Sequence, residues 1–403
     1  MNPETHYEVA IVGGGMVGAA VARALAGSRV ALVSREHRPE IALQGFDARV
    51  YAISPGNAEF LDKLDAWSAI PVRHRTPVHA MRVYGDDGAS LIEFDAYRTG
   101  CAELAWIVED RKVHEALWRG LEGQGGLALF PGSSVQDLEI APERASLRLN
   151  DGRKLDAMLV VGADGAHSFV RDRACIASEE RSYGQTAVVA NFACERPHRN
   201  VAYQWFQGGG GRSAAASGGA RRGAVLALLP LSGEHVSMVW STPYAEAARL
   251  LALDGAALAG EVAAAARNVL GELSLVTPPR GFPLQRLNAA RRAAPRVALA
   301  GDAAHVIHPL AGQGANLGLQ DARALAEVMA GREPGRDPGD LRLLRRYERA
   351  RAEAILAMGA TVHGLYRLFD ARGRGLARLR NAGLNLVDRL PVIKNLLMRH
   401  AMG

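Results

Sequence analysis

Apolar residues fall into three patterns along this chain. Short unbroken runs come first: YEVAIV at 7–12, RVALVS at 29–34, LDAMLVVG at 155–162 and RVALA at 296–300. Such runs suit strands buried on both faces of a parallel sheet. Between the first two lies GGGMVGAAVARALAG, whose Ala and Val positions take helical spacing from Gly15 and stop near Gly27. Strand, glycine turn, helix and strand make a β-α-β unit, which implies a parallel sheet with helices on its faces.

The second pattern is strict alternation. TAVVANFACE, VAYQWF, AVLALLPL and HVSMVWST, within 186–206 and 224–242, predict an antiparallel layer of different character. Residues 76–106, with GDDG at 85–88, predict hairpin strands, and strands are expected across 127–162 with a DG turn at 151–152. The third pattern has helical spacing, at 55–70, 111–123, 244–270, from about 315 to 331, and from 341 onward. Segment 208–222, GGGGRSAAASGGARR, is low-complexity and is expected to be a flexible loop. The order of elements predicts an α/β protein in three parts. A discontinuous nucleotide-binding domain would take 1–75, 105–185 and 286–340. An inserted, mainly antiparallel β-sheet domain for the substrate would take 76–104 and 186–285. A helical tail would take 341–403.

Composition narrows the class. Of 403 residues, 48% are apolar and 22% charged, enough for a sizeable core and incompatible with global disorder. No uncharged apolar run reaches 18 residues, so no membrane-spanning helix is expected, and no secretory signal is read at the start. Cys101, Cys175 and Cys194 show no CxxC or His-containing spacing. Neither a disulfide framework nor a metal site is expected, and a reducing cytoplasm fits. The net charge of +6 is unevenly placed. Residues 341–403 hold 13 Arg or Lys against 4 Asp or Glu, leaving the rest of the chain slightly acidic. A basic tail suits anionic lipid, an acidic partner or plain solvation. Nucleic acid is disfavoured, because few aromatics, Tyr366 and Phe369 among them, interleave with the tail's charges.

Two motifs carry candidate chemistry. Gly13, Gly15 and Gly18 form G-x-G-x-x-G after a strand and at a helix start. The first glycine allows the tight turn, the second lets a pyrophosphate approach the backbone, and the third lets helix and strand pack closely. The helix N-terminus then offers N–H donors to phosphate. The usual acid at the end of the second strand is replaced by Ser34, with Glu36 two residues later. Either could meet a ribose hydroxyl, and Glu36 could equally be an ordinary loop acid. The second motif is Gly301-Asp302 after the strand RVALA, followed by a loop containing Gly312, Gln313, Gly314, Ala315 and Asn316 and then a helix. Asp302 is placed to accept hydrogen bonds from sugar or ribityl hydroxyls. Two helix N-termini facing one crevice suit a ligand with a diphosphate at one end and a ring that becomes anionic at the other, which describes FAD. His305 and His308 lie beside this loop as acid–base candidates or as packing residues.

Taken together, GGGMVG, DARVYAIS at 47–54, VVGADGAHSFVR at 160–171 and GDAAHVIHPLAGQGANLGLQD at 301–321 resemble the group A flavoprotein monooxygenases. These are aromatic hydroxylases built like p-hydroxybenzoate hydroxylase, with a Rossmann-like FAD domain of the GR2 type. AYQWF, LALLPL, VSMVWS and the ending from 384 resemble the ubiquinone-biosynthesis branch, which hydroxylates polyprenylated phenols. The resemblance covers nearly the whole chain except 208–222. It implies that the three glycines bind the FAD diphosphate, and that Arg49 and Arg111 contact the flavin. It further implies that Asp164 serves FAD and NAD(P)H, that Asp302 holds the ribityl chain, and that the 312–316 loop faces the flavin pyrimidine edge. NAD(P)H would be co-substrate and O2 the source of the inserted oxygen. Partners would be an apolar membrane-borne phenol, other proteins of the pathway, and the inner membrane face through the tail, whose 384–398 stretch is amphipathic. A small soluble phenol as substrate, or a non-catalytic subunit with weakened FAD contacts at Ser34, are the competing readings.

Overall fold

The computed structural model describes residues 6–37, 45–87, 90–207, 223–307 and 313–370. The segment 208–222, the stretch 384–398, His308 and Gly312 therefore lie outside the described residues, as does the side chain of Gln313.

The unbroken apolar runs form the parallel sheet that their burial demands. Its order is Val297–Leu299, Lys154–Gly162, His6–Val12, Val30–Ser34, Leu127–Pro131, all parallel. The strand Val30–Ser34 is buried at every position, which is why no alternation shows in its sequence. One face is covered by helices Met16–Ala24, Asp110–Leu121 and Gln313–Ala330, with Ile11, Leu32, Val161, Leu117 and Leu319 in their shared core. The other face is covered by the antiparallel strands Val135–Ile140 and Ala145–Leu149 and by the short helix Phe169–Arg173.

The alternating segments build a nine-stranded sheet. It contains Ser178–Cys194, Val201–Gln207, Ala224–Leu231, His235–Pro243 and Arg280–Ala289. The hairpin Ala80–Tyr84 and Leu91–Asp95 joins it, through one parallel pair with Val201–Gln207. Alternation assigns its two faces. Phe192, Trp205, Leu226, Met238 and Trp240 pack under helices Tyr244–Leu251 and Gly255–Ala265, Leu250 and Leu258 included. The opposite face, with Val189, Ala202, Ala227 and Leu229, lines a cavity. A three-stranded sheet, Val50–Ile53, Ala105–Glu109 and Arg75–Val78, also lends residues to that cavity.

Three helices differ from the periodicity reading. The one expected over 55–70 ends at Lys63, followed by Leu64 as cap and Asp65 at φ +54, a conformation that no helix continues through. The one expected over 244–270 is two helices, because the Asp254 side chain accepts from Ala257 N (2.8 Å) and starts a new N-terminus. The first helix, read from Gly15 to near Gly27, spans Met16–Ala24.

Candidate active site

The glycine turn shows why each position is glycine. Gly13 has φ +108, and a Cβ there would sit 2.2 Å from Ala163 O. A Cβ on Gly18 would sit 1.8 Å from Gly13 O, so this residue holds the helix against its own turn. A Cβ on Gly15 would meet nothing within 4 Å; it would project into open space. Gly13 and Gly15 line the cavity and Gly18 does not. No side chain caps the helix after Gly15 and no acid stands in its first turn, so its N–H dipoles face the cavity uncompensated.

Gly14, which the motif leaves unspecified, is held from the side. Its carbonyl accepts from His114 Nε2 (2.7 Å) and Trp118 Nε1 (2.8 Å), both on helix Asp110–Leu121. The carbonyl partner makes Nε2 the protonated nitrogen of His114. Fixing that carbonyl outward keeps the flanking amides turned to the cavity. The i,i+4 spacing of HEALW was visible in the sequence; its target, 104 residues upstream of Trp118, was not.

At the end of the second strand, Ser34 is buried and its hydroxyl donates to Glu36 O (2.8 Å), while the Glu36 side chain is exposed. Both line the cavity. Ser34 also lies where a Cβ on Gly14 would fall, at 2.5 Å. A small residue is therefore needed there for the turn to close.

Three carboxylates converge from different elements. Asp164 accepts from Ser168 Oγ (2.5 Å) and Val170 N (3.1 Å) at the start of helix Phe169–Arg173. Asp302 follows the strand Val297–Leu299. Asp110 pairs with Arg49 at 3.9 Å and hydrogen-bonds the Tyr51 hydroxyl. All three line the cavity, and burial pushes each carboxyl above its usual range. For Asp302, His305 and Arg49 pull the other way without reversing the shift. Arg49 spreads its guanidinium over the rings of Tyr51 (5.4 Å) and Phe282 (6.0 Å), joining the two sheets at the cavity wall.

The N-terminus of helix Gln313–Ala330 closes the arrangement. Gly314, Ala315 and Asn316 line the cavity. Asn316 is buried and bridges outward: its Nδ2 donates to Ala52 O (2.8 Å), and its Oδ1 accepts from Ser54 N (3.0 Å) and Asn57 Nδ2 (2.8 Å). The asparagine thus positions the helix start by its side chain, leaving backbone N–H groups for the cavity.

Arg111 and His305 lie elsewhere. Arg111 is absent from the lining and approaches Asp47 (3.5 Å) and Glu109 (3.9 Å). His305 donates from Nε2 to Asp321 Oδ2 at 2.6 Å and is likewise absent from the lining. Asp321, fully buried, also accepts from Gly301 N (3.0 Å) and Arg351 Nε (2.6 Å). Burial would raise its carboxyl, but His305 and Arg351 outweigh burial and hold it below the usual range. This buried knot ties the Gly301-Asp302 turn to the helix Leu341–Asp370.

The resulting cavity measures about 990 Å³. One end is lined by glycine backbone, carboxylates and two helix N-termini. The other is walled by apolar side chains such as Met81, Phe94, Leu104, Leu229 and Val239. FAD fits the first end on the donor set present: amides for the diphosphate, carboxylates for hydroxyls, and a second helix start for the electron-accepting ring.

A family model described as FAD binding domain matches residues 6–360. The ubiquinone hydroxylase UbiL of Rhodospirillum rubrum is 34% identical over 98% of this chain and 89% of its own. The 3-demethoxyubiquinol 3-hydroxylase of Escherichia coli is 33% identical over 98% of both chains. Among solved structures, PqsL, a probable FAD-dependent monooxygenase from Pseudomonas aeruginosa, superposes with a TM-score of 0.75. That match covers 94% of this chain and 99% of PqsL at 24% identity, a likeness of fold.

Proposed function

Because this chain belongs to the FAD-binding-domain family of hydroxylases, we propose that it hydroxylates the aromatic ring of a polyprenylated phenol in ubiquinone biosynthesis. It is an FAD-dependent monooxygenase, with NAD(P)H as reductant and O2 as oxygen donor. The observation that carries the substrate reading is the two-ended cavity, polar where a dinucleotide would lie and apolar where a ring and its prenyl tail would lie.

When bound, FAD supplies the redox and oxygen-transfer chemistry that no side chain here could supply. The protein's part is positioning. Gly13, Gly15 and the helix start at Met16 would hold the diphosphate. Asp302 would hold the ribityl hydroxyls, and Asp164 the cavity wall between them. Ser34 or Glu36 would meet the adenosine ribose. Gly314, Ala315 and Asn316 would offer N–H groups to the ring edge that gains negative charge. The apolar wall excludes water from the ring to be hydroxylated, which limits wasteful side reactions.

The division into FAD and substrate parts (1–75, 105–185 and 286–340 against 76–104 and 186–285) belongs to the same proposal. What supports it is that the parallel and nine-stranded sheets split the chain along nearly those lines. Among the described residues no helix is long and apolar enough to cross a membrane. In this proposal a membrane-borne substrate would be delivered through peripheral contact at the inner face, for which the basic 341–403 region is suited by charge.

The test is the visible spectrum of the purified protein with added FAD. Oxidised flavin bands, bleached anaerobically by NAD(P)H and faster when a prenylphenol is present, are expected. A protein that takes up no flavin would overturn the proposal.

A further inference from the structure

The floor of the apolar end contains one group that its surroundings do not account for. Gln204, on strand Val201–Gln207, is only 5% exposed and its side chain lines the cavity. Sheet register places it in a row with Val83, Ala227, Val239 and Val189. Those four neighbours are all apolar, and the row ends beyond Val189 at the exposed Arg280. Among the described residues none hydrogen-bonds its side-chain amide. Its cross-strand neighbour Ala227 and its same-face neighbour Ala202 are small, so space is left over the amide.

The Gln204 amide opens onto the cavity, where water can reach it; once an apolar ligand displaces that water, an amide left without a partner becomes unfavourable in the apolar wall. Gln285 also lines the cavity, but from the strand Arg280–Ala289 and with more exposure. Trp205 turns to the opposite face and packs with Phe192 and Trp240, and the Tyr203 ring stacks on Trp205, although Tyr203 also borders the cavity. The chain thus places one polar group, and a neutral one, where the sheet pattern calls for an apolar residue.

We infer that Gln204 is the specificity residue that registers the substrate's ring oxygen. Resting on the function proposed above, this assigns the amide as partner to the ring hydroxyl of the bound phenol. Oε1 accepts from a phenol O–H, and Nε2 donates to the oxygen once it is ionised. An amide does not titrate, so Gln204 fixes the ring without taking its proton. An apolar wall alone separates rings of similar shape poorly, whereas a buried hydrogen-bonding group rejects a ring that leaves it unpaired. The role is to orient the ring, with the prenyl tail free to follow the apolar wall.

The experiment is a calorimetric titration of the FAD-saturated protein with a short-chain prenylphenol and with the same prenylbenzene lacking the hydroxyl. Wild-type protein, Gln204→Leu and Gln204→Met are compared. Both variants keep the side chain's bulk, and flavin content and melting profile check their folding. The phenol-to-deoxy affinity ratio should fall by about tenfold in each variant, the size of one buried hydrogen bond. Affinity for the deoxy compound should hold or improve. An unchanged ratio in folded variants would overturn the role of Gln204 and leave the hydroxylase reading standing. Failure of the wild-type protein to bind either compound would overturn both.

Discussion

Gly15 and Gly18 belong to one motif, yet the structure predicts opposite consequences for replacing them with alanine. At Gly15 the new Cβ meets no protein atom within 4 Å, and the backbone (φ −65, ψ −177) is open to any residue. Losing glycine from an N-cap costs a fraction of a kcal/mol, and the stiffer unfolded chain returns about as much. Flavin-free Gly15→Ala should therefore melt close to wild type. Its Cβ would stand where the diphosphate meets the amides. Loss of one charge-assisted hydrogen bond, about 1.5–3 kcal/mol, weakens FAD by roughly 10- to 150-fold. At Gly18 alanine would be favoured by helix propensity, by about 1 kcal/mol. The Cβ, however, would lie 1.8 Å from Gly13 O, a backbone atom that cannot swing aside. Relief requires moving the helix off its turn, an overpacking penalty of about 3 kcal/mol or more. Gly18→Ala should lose several degrees of melting temperature without FAD present. Melting curves of flavin-free protein and a titration of flavin fluorescence read both quantities. A Gly15 variant that binds FAD normally, or a Gly18 variant of full stability, would refute the assignment of those roles.

Further outcomes follow from the carboxylates. Asp321→Ala strands Arg351 in the interior, so a loss of about 3–5 kcal/mol is expected in chemical denaturation. The depressed Asp321 carboxyl adds stability that is present above its unfolded pKa and lost as pH falls through the folded value, so acid should unfold wild type more steeply than Asp321→Asn. Asp302 has the opposite sign. Its raised carboxyl makes the flavin-free protein lose stability as pH rises through that range, and Asp302→Asn should flatten this loss while lowering FAD occupancy. Removing the His114 donor by His114→Ala should weaken FAD binding by a few-fold, because Trp118 still holds the Gly14 carbonyl; an effect as large as that of Gly15→Ala would argue against a shared clamp.

What the sequence disclosed was what local pattern encodes. Burial on both faces wrote Val30–Ser34 as an unbroken apolar run, and half-lined faces wrote the nine-stranded sheet as alternation. The three glycines were readable because each answers to its own turn. Contacts between distant segments left no such trace. Ser54 and Asn57 meet Asn316 across about 260 positions, and neither neighbourhood shows a periodic signal. For His305, beside the loop, the sequence offered either an acid–base or a packing role; its ring bonds to Asp321 on the next helix, a contact that no local pattern shows. Arg111 lies one residue past Asp110, and at a helix start one residue turns a side chain by about 100°. Asp110 faces the cavity, and Arg111 faces Asp47 and Glu109. The Asp65 and Asp254 breaks are decided by single residues inside otherwise helical composition.

The most direct test of the central claim is the reaction of the FAD-loaded protein with NAD(P)H and a short-chain prenylphenol under oxygen-18 dioxygen, read by product mass. The account predicts a ring hydroxyl carrying a single labelled oxygen, formed in step with NAD(P)H consumed. NAD(P)H oxidation with no labelled ring product, for any prenylphenol that binds, would contradict it.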